Sequence, residues 1–142
     1  MAACRVLLTD WAHDQARLSQ VRRTVFIDEQ HVPENLEWDA DDIGALHALA
    51  LDDQDRPIGC ARLLPDGHIG RMAVLPLWRG QGVGRALLDT VMRAAAARGH
   101  TTMRLSAQTH AADFYARAGF VALGDVYEEA GIPHVAMQKT LP

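Results

Sequence analysis

RMAVLPLWRGQGVGRALL, residues 71–88, sets three glycines and three arginines between an apolar run that reads as a strand and one that reads as a helix. A strand that enters a glycine-rich turn and leaves it as a helix points unpaired backbone N–H groups, and the positive end of the helix dipole, at one spot. The ligand that suits such a spot is an anion, phosphate foremost. Two familiar phosphate loops fail by spelling. A Walker loop requires GxxxxGK followed by Ser or Thr, but five residues after Gly80 stands Arg85, with no such Lys pair nearby. A dinucleotide fingerprint requires GxGxxG and an acidic residue about 20 positions on; here the glycines are Gly80, Gly82 and Gly84, and residue 100 is His. A plain turn before a surface helix needs one glycine, whereas alternating ones carry a backbone-entropy cost that asks for a reason.

Composition narrows the classes around this loop. A chain of 142 residues with 49% hydrophobic and 23% charged residues is expected to form a single domain, residues 1–142, with an ordinary core. A net charge of −4 with dispersed arginines argues against nucleic acid as a partner, because that affinity comes mainly from neutralising phosphates. Cys4 and Cys60 lack metal-ligand spacing and read as small buried residues of a reducing compartment, so no metal is expected. The chain reaches Arg5 and Asp10 without a long apolar run, and no 18-residue apolar segment follows. Neither a secretory signal nor a membrane span is therefore expected, and the cytoplasm is the expected location. No repeat, low-complexity tract or linker is evident, and the polar stretch at residues 28–44 reads as the long irregular region.

Elements alternate along the rest. CRVLL reads as a strand, and Asp14 is expected to cap a helix whose apolar Leu18, Val21 and Val25 share a face. LHALALD and IGCARLL read as strands joined by the turn DDQDRP, and PDG leads into a fourth strand, HIGRMAV. The glycine loop then opens a helix along Val83, Leu87 and Val91 that ends near Gly99. TMRLSA reads as a fifth strand, ADFYARA as a short helix stopped by Gly119, and FVAL and HVAMQKTL as late strands. Strands first, then strand–helix–strand–helix, fits a mixed α/β sheet flanked by helices.

These residues resemble the GNAT-type N-acetyltransferases over nearly the whole chain. RGQGVG, starting at Arg79, fits the family's acetyl-CoA motif of Gln or Arg, two residues, Gly, one residue, then Gly or Ala. FYARAGF, residues 114–120, is a second match, with Tyr115 four residues before the Gly-Phe pair. VFIDEQ near residue 25, AQ at 107 and 108, and EEAGIPH at 128–134 resemble the ElaA-like subgroup. Many members carry Asn seven residues before the tyrosine, where this chain has Gln108. The resemblance implies a mixed, α+β-like single-domain GNAT fold, its twisted and mostly antiparallel sheet splayed between the fourth and fifth strands. It implies acetyl-CoA as co-substrate and transfer of its acetyl group to an amine in a ternary complex.

The physics of the loop agrees with that ligand. Coenzyme A carries a pyrophosphate, which amides at a helix start can wrap where glycine permits close approach. The resemblance implies cofactor contacts at Gly80, Gln81, Gly82, Val83 and Gly84, charge from Arg79 and Arg85, and further contacts at Gln108 and Phe114. The pantetheine arm is implied to pair like an added strand with the backbone of Met72, Ala73 and Val74, a form of β-augmentation. Plain core packing is the other reading of Met72 and Val74.

The chemistry needs a neutral amine and a protonated leaving thiol. An amine of pKa about 10.4 is neutral in roughly one molecule in a few thousand at pH 7, so a base or desolvation must supply the difference. Tyr115 is the acid that the resemblance implies, though a lone tyrosine is more often a packed core residue. The base position in several family members falls on His68, which also reads as an exposed histidine beside a PDG turn; His134, His47, Glu29 and Glu128 are further candidates.

The acceptor is implied to be a small-molecule or peptide amine, approaching past Glu29, Glu37, Trp38, Asp39, Asp41, Asp42, Tyr127, Glu128 and Glu129, which also read as solvated loop. A homodimer is a further partner compatible with this reading. Two other classes remain. An acyl-CoA sensor would keep the glycine loop without an acid or base, and the acyl-homoserine lactone synthases share a related fold but are longer chains.

Overall fold

Apolar runs without interruption make strands that are buried on both faces. Within residues 4–141, which the computed structural model describes, β1 (Cys4–Thr9), β2 (Leu46–Asp52), β3 (Pro57–Leu63) and β4 (His68–Val74) form an antiparallel meander. In β2, successive side chains part to opposite faces. Ala48 and Ala50 join the core under one layer of helix, and Leu49 and Leu51 join the core under the other.

The first layer is α4 (Val83–Ala97), whose Val83, Leu87, Val91 and Ala95 form one fully buried stripe. Gly59 lets this helix sit directly on β3: a Cβ there would lie 2.9 Å from Leu87 Cδ1 and 3.1 Å from the Ala73 carbonyl oxygen. The second layer is α1 (Trp11–Arg22), which runs on into a π-helical segment, Arg23–Glu29. Leu18 and Val21 of α1, with Val25 and Phe26 of the π segment, cover the opposite face.

After α4 come β5 (Thr102–Gln108), a 3-10 turn, α5 (Ala112–Arg117), β6 (Val121–Glu129) and β7 (Ile132–Thr140). Among the described residues the sheet has seven strands in the order β1-β2-β3-β4-β5-β7-β6. Every pairing is antiparallel except β4 with β5, which are parallel and meet only at His68↔Arg104 and Ile69↔Leu105 among the described residues. Beyond those pairs the sheet is split, as expected between the fourth and fifth strands.

Three local readings are corrected. The cap of α1 is Asp10, not Asp14: Asp10 has an extended backbone and its carboxylate accepts the His13 N–H at 2.9 Å. Asp14 lies inside the helix at a non-helical φ of −127°, its carboxylate taken up by Thr9 and Arg17. Residues 28–44 are not irregular throughout. They begin with the end of the π segment and include two single-turn helices, α2 (Glu34–Glu37) and α3 (Asp41–Gly44). Phe120, read as the start of a late strand, precedes β6 and is buried in the α4-side core.

Candidate active site

Where β4 and β5 part, a cleft of about 1250 Å³ opens. Its walls include residues 68–74, the glycine loop, Ser106 and Gln108 of β5, Phe114 and Tyr115 of α5, His134 of β7, and Glu29 and Gln30 at the end of the π segment.

At one end lies the start of α4. Gly80 (φ 74°) and Gly82 (φ 87°) hold left-handed backbone that glycine adopts without strain, and nothing lies within 4 Å of a Cβ at either. Gly82 is the N-cap and offers no side chain to the first helical amides. Gly84 serves a close approach instead, since a Cβ there would sit 3.4 Å from the Phe114 ring. Gly84 and Phe114, thirty residues apart, thus meet at the cleft. Gln81 turns aside and donates to the Leu77 carbonyl.

The two expected phosphate cations have partners within the protein. Arg79 grips Glu29 with both terminal nitrogens, at 2.7 and 2.6 Å, and donates through Nε to the Val74 carbonyl at 3.0 Å. The bidentate fork holds the Glu29 carboxyl below its ordinary value. Arg85 pairs with Asp89, one turn along α4, at 3.0 Å. Gln108, at the end of β5, makes a reciprocal amide pair with Gln30 at 2.8 and 3.2 Å. Glu29 and Gln30 close VFIDEQ, so the sequence signal was present, but pairing across 50 and 78 positions was not readable from it.

Midway along the cleft β4 bulges. Cys60 pairs with Ala73 and Arg62 with Gly70, so Arg71 and Met72 together oppose Ala61. Arg71 takes a φ of 46°, strained for a residue with a side chain. Its guanidinium is tied down on the Glu37 carbonyl at 3.2 Å and the Asp39 carboxylate at 3.2 Å. Met72, beside it, receives the Tyr115 hydroxyl on Sδ at 3.5 Å. Phe114 and Phe120 meet the tyrosine ring edge-on, and burial pushes its phenol up to about 12.

Other candidates scatter. His68 is exposed at the start of β4, where the strands still pair, and its Nδ1 faces Asp66 at 3.0 Å. His134 is buried yet lines the cleft. His47 lies off the cleft, bonded to the Asp42 carbonyl at 2.9 Å, with burial holding its pKa down. Of the expected acceptor path, Glu29, Glu37, Asp39 and Glu129 line the cleft, and Trp38, Asp41, Asp42, Tyr127 and Glu128 do not.

Several of those residues belong to a buried charge cluster that the sequence did not reveal. Arg22, 1% exposed, lies between the rings of Trp11 and Trp38 and bonds Glu37 at 2.7 Å and Asp42 at 2.6 Å. Arg62 bonds Asp39 and Asp42 at 2.8 and 3.1 Å, while its Nε is buried without a partner. Burial pushes the Glu37 carboxyl above its ordinary value although Arg71 and Arg22 oppose it. The cluster fixes α2 and α3 against β3 and the β4 bulge. Among the described residues no group of His, Cys, Asp and Glu suits a metal ion and no helix is long and apolar enough to cross a membrane.

A family model described as an acetyltransferase (GNAT) domain matches residues 10–141. YjcF of Bacillus subtilis (strain 168), described as an uncharacterized N-acetyltransferase, is 36% identical over 123 residues, covering 84% of this chain and 87% of that protein. The protein ElaA of Escherichia coli (strain K12) is 33% identical over 131 residues, covering 86% and 84%. A crystal structure of an acyl-CoA N-acyltransferase from Pseudomonas aeruginosa superposes with a TM-score of 0.86 at 32% identity, covering 97% of this chain and 100% of that one.

Proposed function

The chain belongs to the GNAT acetyltransferase family, and on that premise we propose that it moves an acetyl group from acetyl-CoA to an amine by direct transfer, with both substrates bound at once. One observation carries the reading: the amide-rich start of α4, the parted strands and the Tyr115 phenol at the β4 bulge lie along a single cleft. A substrate with a pyrophosphate at one end, an amide-bearing arm and a thioester at the other matches that order.

In this reading the amides of residues 80–85 hold the pyrophosphate, with Arg79 and Arg85 exchanging Glu29 and Asp89 for phosphate oxygens. The arm lies in the gap, taking backbone bonds from Met72 to Val74 with Gln108 and Phe114 beside it. Tyr115, kept protonated by burial, gives its proton to the leaving thiolate. A base at the cleft deprotonates the amine, and His68 is one of the histidines lining it. The acceptor is a small-molecule or peptide amine, drawn as an ammonium toward Glu29, Glu37, Asp39 and Glu129.

The test is thiol release from acetyl-CoA across an amine library, run beside calorimetry of acetyl-CoA binding. Release that depends on the amine is the expected result. Tight binding with no release for any amine overturns enzymatic transfer and leaves a non-catalytic acyl-CoA sensor.

A further inference from the structure

His134 is a buried cleft histidine whose ring is oriented by a backbone carbonyl of its own strand. It stands on β7 opposite Gln108 of β5 and opposite Tyr127 of β6, so these neighbours share its face of the sheet. The residue is 6% exposed, yet it lines the cleft. Its Nδ1 lies 2.7 Å from the Ile132 carbonyl oxygen. A carbonyl only accepts, so Nδ1 carries the hydrogen and the neutral ring keeps its lone pair on Nε2.

The surroundings suit uptake of a proton at Nε2. Tyr127 stacks on the ring with centroids 6.1 Å apart, and its hydroxyl is bonded to Ser106. Glu129 Oε2 lies 3.6 Å from Nε2; the neutral ring has no hydrogen there to donate, and once a proton is taken up the carboxylate stands as its counter-ion. Facing the ring from β6 are Tyr127 and Glu129, and from β5 Gln108, itself bonded to Gln30 of the π segment; Glu129 is the charged group among them. His68, by contrast, sits exposed at the far end of β4 with its Nδ1 on Asp66.

We propose that His134 Nε2 is the base that takes the proton from the incoming amine. The step rests on the acyl-transfer reading and balances as follows. Nε2 takes one proton from the bound ammonium, and the freed nitrogen lone pair attacks the thioester carbonyl. The C–S bond breaks, the thiolate takes the Tyr115 proton, and the surplus proton on the new amide nitrogen restores the phenol. His134 then releases its proton to solvent, so each turnover yields amide, free thiol and one proton.

The test uses the full chain with acetyl-CoA and the best amine from the library. His134→Asn retains a donor for the Ile132 carbonyl and removes the base. Turnover is expected to fall roughly 100- to 10,000-fold, with the calorimetric Kd for acetyl-CoA nearly unchanged. The acid limb of the pH–rate profile disappears, and added imidazole restores part of the rate. Ring 15N shifts of the wild type report the hydrogen on Nδ1 whether or not turnover is measured.

A His134→Asn protein with wild-type turnover and an intact limb overturns the proposal, as does an Nε2–H tautomer. A wild-type protein that binds acetyl-CoA and acetylates no amine overturns the acyl-transfer reading itself, and the base with it.

Discussion

At the scale of single residues, the Tyr115 hydroxyl is separable from the ring that carries it. The ring meets Phe114 and Phe120 edge-on, while the hydroxyl donates to the Met72 sulfur. Tyr115→Phe is therefore expected to melt close to wild type and bind acetyl-CoA nearly as well, yet turn over roughly 10- to 1000-fold more slowly. With the wild-type phenol at about 12, no basic limb of the rate profile belongs to it until the pH approaches that value. A Phe variant with full turnover, where chemistry limits the rate, returns Tyr115 to core packing. The tyrosine was legible in FYARAGF because its spacing to the Gly-Phe pair is local. The partner of Arg79 was not, since Glu29 comes from an element fifty positions earlier. Nor was the cap of α1, expected at Asp14, because which aspartate has the extended backbone is not written in its residue type.

At the scale of elements, α4 depends on glycines for two different reasons, and mutation separates them. Gly59→Ala drives a methyl into Leu87 and the Ala73 carbonyl, so helix and strand must move apart. A loss of about 1–3 kcal/mol is expected from such overpacking, read as a lower Tm. At Gly82 a Cβ meets no neighbour within 4 Å, but valine there needs left-handed backbone. Gly82→Val is expected to weaken acetyl-CoA binding by an order of magnitude or more through a displaced loop, as measured by calorimetry. A folded Gly82→Val protein with unchanged affinity removes the loop from the site. The helix itself was plain in the sequence, because Val83, Leu87 and Val91 recur at one-turn spacing. Stretch 28–44 was opaque for the opposite reason: α2 and α3 are one turn each, and buried arginines rather than apolar periodicity hold them in place.

At the scale of the molecule, the Arg22 cluster joins the first helix, the segment after it and two central strands. Arg22→Met removes the partner of Glu37 and Asp42 inside the core, and a loss of about 3–5 kcal/mol is expected in denaturant unfolding. The same cluster sets acid sensitivity. Burial acts to raise the Asp42 carboxyl, but Arg22 and Arg62 overcome it and hold the group below 3.8. Its stabilisation is thus complete above that unfolded-state value and is lost as the pH falls through the lower folded-state one, so Tm is expected to drop as the solution is acidified below about 4. The split between β4 and β5 leaves a second mark on the whole fold. Two interior strands that pair at only two positions present, in mid-sheet, amide groups of the kind ordinarily found at a sheet's rim. Past Ile69 and Leu105, their N–H groups facing the gap exchange with deuterated water without global unfolding, while those shared by β2 and β3 wait for it. If the ligand lies there as an added strand, as proposed, it closes that seam, and the rate at which those few amides exchange is then expected to measure occupancy of the gap directly.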